Sequence, residues 1–348
     1  MKVLFVDIST SGHHLTYLSA LALQKDIEPV LVLPEKVDMD CKQYVVARDK
    51  HTLSAMNAWL KNVLLVAQKE KPDIIHFLYG DIFYRFFGFG LGQFKKFKTV
   101  VTLHWVKTGF VERISTKMLC TKMDRVVVHS EYIRQVLQSY GVKNAVHIEY
   151  PQFNELKIPK EDACQYFGLE KDVPVIACIG NTRYDKGLDI LLEALKRVNA
   201  PFRLLIAGKA EAFDEDYIAQ HIAGYEERVT RCLYFLSDEE LSNALCASDL
   251  IVLPYRKKFD GASGPLGEGV ALGKCIVGPN HGTLGYTIEQ NHLGYTFESE
   301  NADDLAHTLD IALQEKFYRD EVYSSYKNSL RVDYFKDKYQ RVYHDLMK

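Results

Sequence analysis

The chain has 348 residues, with 43 Lys+Arg against 46 Asp+Glu and a formal net charge of −3. At about 150 residues per domain, that length gives two domains, each able to bury its own core. The near-neutral balance removes any global electrostatic case for nucleic-acid binding, and no apolar run reaches the ~18 residues that span a bilayer. Hydrophobic residues make up 47% and charged residues 26%, an ordinary globular mixture without long disorder. The start MKVLFVDIST runs directly into polar Ser11-Gly12-His13-His14, so no signal peptide is expected. The cysteines (Cys41, Cys120, Cys164, Cys178, Cys232, Cys246, Cys275) are scattered with no CxxC pair and read as reduced thiols. A cytoplasmic protein is expected.

In chain order, residues 3–6 read as a strand, followed by a polar loop with Gly12 and a helix over 15–24. Residues 30–33 form a strand, 52–69 a helix, and 73–77, 99–103 and 125–129 further strands. A helix over 133–140 and a strand over 145–148 close the first series before Pro151. The pattern then restarts. Strands are expected at 173–179, 202–207, 233–235, 250–253, 275–277 and 295–297. Helices fall at 188–198, 238–246, 264–272 and 302–315, and an amphipathic helix over 334–347 ends the chain with no strand after it.

Near-continuous apolar strands separated by helices are the mark of parallel sheets covered on both faces. The two series give two Rossmann-like domains, residues 1–155 and 156–332, with 333–348 packing back on the first. Ligands of such sheets bind beyond the carboxyl ends of the strands, so the expected site is a cleft between the domains.

Several motifs carry little weight. Gly88, Gly90 and Gly92 lack the dinucleotide-binding spacing and a clear preceding strand. The triplets Asp38–Asp40 and Asp214–Asp216 have no apolar strand running into them and read as solvated surface rather than metal ligands. Adjacent His13 and His14 would diverge by about 100° on a helix. Without a Cys/His cluster, no metal is expected.

Three segments sit at carboxyl ends of strands. Gly180 to Gly187 follows the first strand of the second domain and places Arg183 and Lys186 together, a bidentate donor and a point charge suited to a diphosphate. An exposed basic turn is the plain alternative. Asp260 to Gly269 follows the strand at 250–253. There glycines before a helix expose backbone N–H groups to an anion, Pro265 fits the first turn, and Glu268 lies one turn in, where a carboxylate can accept two vicinal ribose hydroxyls. Complementing the helix dipole would also explain Glu268. His104 ends the strand at 99–103.

At these residues the chain resembles the retaining GT-B glycosyltransferases of family 4, also called glycosyl transferases group 1. The likeness rests on Arg183-Tyr-Asp-Lys186-Gly187, Leu205-Ile-Ala-Gly208, Asp249-Leu-Ile-Val-Leu-Pro254 and Glu268-Gly-Val-Ala-Leu-Gly273-Lys274. It covers the second domain, and over the first it rests on Gly12, His104 and residues 126–130. The resemblance implies metal-independent transfer of a sugar, with retention, from a UDP- or GDP-linked donor, without a further cofactor. The acceptor would be a glycan or lipid-linked molecule in cell-surface polysaccharide synthesis.

The family's E-x7-E motif falls on Asp260 and Glu268. Glu268 would hold the ribose and Asp260 the donor sugar, with a shorter reach than the family's usual Glu. Arg183 and Lys186 would stabilise the departing diphosphate. Gly12, Gly180, Ser263, Gly264, Pro265 and Leu266 would line the donor, and His104 would lie beside the transferred sugar. A catalytically degenerate partner protein and a sugar-nucleotide epimerase are the alternatives. Aromatic residues Phe83 to Phe97, interleaved with Arg85, Lys95, Lys96 and Lys98, are a candidate peripheral contact at the inner face of the membrane; the plain alternative is that most of these rings are core.

Overall fold

The computed structural model describes residues 1–48, 50–106, 109–153, 157–170, 172–259, 261 and 263–348. The described residues form two compact units, 1–150 with 332–348, and 151–331. The first unit runs β1 (Lys2–Val6), α1 (His13–Ala22), β2 (Glu28–Leu33), β3 (Lys42–Val45), α2 (Leu53–Glu70), β4 (Ile74–Phe77), β5 (Lys98–Leu103), α3 (Phe110–Cys120), β6 (Arg125–Val128), α4 (Glu131–Ser139) and β7 (Ala145–His147). Its strands form one parallel sheet in the order β3-β2-β1-β4-β5-β6-β7.

The second unit runs α5 (Lys160–Tyr166), β8 (Val175–Ile179), α6 (Leu188–Leu195), β9 (Arg203–Ala207), α7 (Glu215–His221), β10 (Val229–Cys232), α8 (Asp238–Ala247), β11 (Leu250–Val252), α9 (Gly264–Ala271), β12 (Cys275–Pro279), α10 (Gly282–Gln290), β13 (Gly294–Phe297), α11 (Ala302–Gln314) and α12 (Glu321–Ser329). Its parallel sheet has the order β10-β9-β8-β11-β12-β13. Side chains alternate across this sheet, as a period of two requires. Ile176, Leu204, Ile206, Val252 and Val277 pack into one core layer. Val175, Ala177, Leu205, Ile251 and Ile276 pack into the other.

In both sheets the strand order reverses once, between β1 and β4 and between β8 and β11. Such a switch point opens a crevice at the strands' carboxyl ends, because the two flanking connections leave on opposite faces. The Gly12 loop and the Gly180 loop leave β1 and β8 at these two points.

The expected strand at 233–235 is not one. The strand is β10, Val229–Cys232, paired with Leu204–Ala207 of β9. An edge position leaves β10 only partly buried, so Thr230 and Arg231 interrupt its apolar signal. Tyr234 and Phe235 lie beyond its end, and Phe235 is 81% exposed.

Helix α13 (Val332–Met347) belongs to the first unit, where Phe335, Tyr339 and Tyr343 are fully buried. Its hydroxyls enter a buried hydrogen-bond chain whose proton order follows from its first link. His129 Nδ1 donates to the Ile148 carbonyl, which can only accept. His129 Nε2 therefore accepts from Tyr17, and Tyr17 accepts from Tyr339. Thr102 then donates to Tyr339, His76 Nε2 donates to Thr102, and Tyr343 donates to His76 Nδ1. Burial holds the His76 imidazole neutral, near 3, and pushes His129 well below the usual value. Tyr339→Phe removes one donor and one acceptor from this chain and should cost about 1–3 kcal/mol. Urea unfolding measures it, and an unchanged midpoint would contradict the chain as drawn.

Candidate functional site

Beyond β8 the chain turns sharply at Gly180 (φ +113), where it crosses the loop after β9. A Cβ on Gly208 (φ +148) would lie 2.4 Å from the Gly180 carbonyl carbon and oxygen. Two backbones in contact leave no room for a side chain, so glycine is required on steric grounds. Thr182 laces the two loops together: its buried Oγ1 donates to the Phe213 carbonyl (2.7 Å) and accepts from Glu211 N (2.8 Å). The turn 184–187 is pressed on the end of β11, since a Cβ on Gly187 would lie 2.0 Å from the Pro254 carbonyl oxygen.

This packing aims Lys186. Its Nζ lies against Gly180, 2.5 Å from where a Cβ would stand, and 5.6 Å from the centre of the Tyr255 ring. Among the described residues it has no carboxylate within ion-pair distance. Burial lowers the Lys186 ammonium below the usual lysine value, and the Arg183 charge also lowers it. A half-buried cation facing a ring and another cation is poised for an incoming anion.

Arg183 is differently placed. Its guanidinium is held by Asp185, Nε to Oδ1 at 2.9 Å and Nη2 to Oδ2 at 2.7 Å. The turn thus presents one paired and one open cation.

A carboxylate from another element that feels the Lys186 charge is Glu268, in the first turns of α9. Its oxygens face the start of the helix, 3.9 and 4.0 Å from a Cβ placed on Gly264. Ser263 precedes α9 without capping it, and its hydroxyl lies 3.4 Å from the Tyr255 hydroxyl. Pro265 stands in the first turn and has no N–H to satisfy. Leu266 is buried. The uncapped Gly264 and Leu266 N–H groups leave a partial positive charge at this end. Asp260 lies outside the described residues.

Burial pushes Glu268 up to about 7, against the pull of Lys186. A carboxyl raised from 4.5 to about 7 contributes its full stability below the lower value and loses it as pH climbs through the higher one. Glu268→Gln should therefore melt progressively higher than the parent as pH rises from about 5 to 8. Parallel melting curves across that range would contradict this environment.

Arg256, which the sequence reading overlooked, holds the lysine turn in place. Buried to 8% exposure, it makes two hydrogen bonds to Asp189 (3.0 and 2.6 Å) and donates to the Tyr184 carbonyl (2.7 Å). Its guanidinium lies 3.9 Å from the centre of the Tyr184 ring. An arginine directly after an apolar strand and Pro254-Tyr255 was the available signal.

The switch point of the first unit carries its own cluster. Gly12 (φ +57) begins α1, and a buried Asp7 at the end of β1 accepts from His14 Nδ1 at 2.9 Å. That hydrogen bond raises the His14 value. Tyr79 stacks on His104 with ring centres 5.0 Å apart, and the His14 ring lies tilted against Tyr79, its centre 4.8 Å away. His104 Nε2 donates to the Leu78 carbonyl (2.9 Å), and Asp81 accepts from the His104 and Trp105 amides (3.0 and 2.7 Å). Burial lowers His104 to about 4, so the ring is neutral with Nδ1 as its open acceptor. The His14–Asp7 pair escaped the sequence reading because it joins a strand end to the helix seven residues on.

The minor motifs find local explanations. Asp214 caps α7 by accepting from Tyr217 N. Gly88, 2.9 Å from the Leu119 Cα for a built Cβ, is a packing glycine. Phe83, Tyr84 and Phe94 are buried in the core, while Phe89 is exposed. Among the described residues no three His, Cys, Asp or Glu side chains gather as metal ligands, and the cysteines are free thiols. No described helix is long and apolar enough to cross a membrane.

Residues 173–315 match the family model described as Glycosyl transferases group 1, and residues 11–151 match that described as Glycosyltransferase Family 4. The chain belongs to the family 4, group 1 glycosyltransferases. An uncharacterized glycosyltransferase of Methanocaldococcus jannaschii is 25% identical to this family 4 chain over 211 residues, 59% of the chain and 56% of the relative. The chain spans about half the length of the curated relatives it matches.

Solved structures share the fold end to end. Sucrose-phosphate synthase from Thermosynechococcus elongatus has a TM-score of 0.77 at 15% identity, covering 100% of this chain and 99% of its own. Anabaena Alr3699/HepE in complex with UDP-glucose has a TM-score of 0.73 at 16% identity, covering 99% and 100%. The two parallel sheets are thus those of the GT-B fold.

Proposed function

We propose that the chain transfers a sugar, with retention and without a metal ion, from a UDP- or GDP-linked donor to a glycan or lipid-linked acceptor. Cell-surface polysaccharide synthesis at the cytoplasmic side of a membrane is the setting that the family resemblance suggests. The observation that carries the reading is Lys186: an open cation at the switch point of the second sheet, beside an uncapped helix start and the Glu268 carboxylate.

Each part has a task. When the bond between the anomeric carbon and the diphosphate breaks, its electron pair stays on the diphosphate. Lys186 and the N–H groups at Ser263 and Gly264 stabilise that charge. Arg183 joins them by exchanging Asp185 for phosphate oxygens. Glu268 takes the ribose hydroxyls, Asp260 the donor sugar, and Gly180, Pro265 and Leu266 shape the pocket. In the first unit, Gly12 and His104 serve the sugar and the acceptor, with the neutral His104 Nδ1 accepting a hydroxyl. The solved relative from Anabaena that holds UDP-glucose supports a nucleotide-sugar donor.

Incubation with UDP- and GDP-sugars and candidate acceptors, followed by proton NMR of the product's anomeric signal, tests this reading. Nucleoside diphosphate release, the donor's own configuration in the product and indifference to EDTA are expected. An isomerised nucleotide sugar, or a strict need for Mn²⁺, would contradict it.

A further inference from the structure

Helix α3 turns an apolar stripe to the outside. Phe110 (79%), Val111 (58%), Ile114 (42%) and Met118 (44%) are exposed on this one helix. Phe110, Ile114 and Met118 recur every four residues and so stand on one side, with Val111 at its margin. The opposite side packs inward through Ser115, Thr116, Leu119 and Cys120. Single exposed apolar residues are ordinary, whereas a contiguous stripe marks an interaction surface.

Cations border this stripe. Arg113 and Lys117 are exposed, one turn apart, along its edge. The Arg113 guanidinium sits 4.8 Å from the centre of the Tyr140 ring, and Lys117 Nζ reaches Gly141, so the basic edge continues to exposed Lys143. The acid of the helix, Glu112, folds against Gly109 on the far side. Of the charged side chains of α3, Arg113 and Lys117 thus border the stripe, while Glu112 does not.

We propose that the outward face of α3 docks on an anionic lipid bilayer. Phe110, Ile114 and Met118 enter the boundary between headgroups and acyl chains, and Arg113 and Lys117 engage lipid phosphates. The charge selects the occupant: a second copy joined through the same stripe would bury these cations with no acid of α3 to pair them. This inference goes beyond the proposed reaction and stands without it. It also moves the membrane contact from residues 83–98, whose rings are largely core, to the helix that follows Trp105.

Flotation of the whole chain with phosphatidylglycerol-rich vesicles and with pure phosphatidylcholine vesicles tests it. The parent should float with the anionic vesicles and lose binding as salt rises. Arg113→Gln with Lys117→Gln should weaken partitioning by roughly 25-fold, about fivefold for each cation. Ile114→Ser with Met118→Ser should abolish flotation while the far-UV circular dichroism and melting temperature stay those of the parent. Lys95→Gln with Lys96→Gln should change little. No flotation at low salt, flotation indifferent to these changes, or a dimer in sedimentation that the Ile114/Met118 variant dissolves would each overturn the proposal.

Discussion

Lys186→Ala should lower turnover roughly 10²–10³-fold, the loss seen when a positioned charge stabiliser is removed from a reacting centre. The size follows from the lysine's surroundings. Its Nζ rests on Gly180 and near the Tyr255 ring, without a carboxylate in ion-pair range among the described residues. Its charge is therefore available to substrate instead of being spent within the fold. Arg183→Ala should cost less than Lys186→Ala, because the Arg183 guanidinium must first leave Asp185. The fold should survive both changes, since burial penalises the Lys186 ammonium and Arg183 is exposed. Steady-state assays on the donor and acceptor that give product decide it. Parent rates for Lys186→Ala would remove this residue from the chemistry.

Gly208→Ala should be among the most destabilising single-methyl changes in the second unit. The new carbon would stand 2.4 Å from the Gly180 backbone, in a conformation (φ +148) that side chains avoid. Neither neighbour is a flexible side chain, so the loops after β8 and β9 must separate. Backbone strain and overpacking each cost about 1–3 kcal/mol, and a loss of about 3 kcal/mol or more is expected in urea unfolding. The displacement also moves Gly180, on which Lys186 rests, so nucleotide affinity should fall with stability. Gly282→Ala separates the two causes. Gly282 also has a positive φ (+62), but a Cβ there meets nothing within 4 Å, and about 1 kcal/mol is expected. Equal losses in the two variants would contradict the close crossing.

The sheets were readable because parallel strands covered on both faces carry unbroken apolar runs, as in residues 175–179 and 204–207. The readable signal failed where burial is partial. Edge strand β10 interrupts its apolar residues with Thr230 and Arg231, and the adjoining exposed aromatics imitated a strand in its place. Helix α10 begins Gly-Thr-Leu-Gly, where the two glycines and the threonine have low helix propensity, and gains its place by packing on β12 and β13. Helix α3 carries helical spacing at Phe110, Ile114 and Met118, but these residues face outward and only the short set Leu119 and Cys120 joins its apolar side to the core.

The candidate site divides along the same line. Lys186, Glu268 and Ser263 to Leu266 could be proposed from sequence because each lies beyond the carboxyl end of an expected strand. Which cation is open and which is paired could not, since Arg183–Asp185 depends on a local turn. The role of Arg256 depends on Asp189 and Tyr184, more than sixty residues away. The Asp7–His14 pair needs α1 folded back on the end of β1, and the ring contacts of Tyr79 with His14 and His104 exist only once β1, β4 and β5 lie side by side.

The most direct measurement is a thermal-shift comparison of the parent, Lys186→Ala and Glu268→Ala with UDP, GDP, ADP and CMP. A ligand that binds only the folded chain raises its melting temperature by mass action, by about 2.7 kcal/mol of stability at a hundredfold excess over Kd. One nucleoside diphosphate should stabilise the parent selectively and lose most of that effect in both variants. No shift with any of the four nucleotides, or an equal shift in all three proteins, would contradict a nucleotide-sugar site built on Lys186 and Glu268.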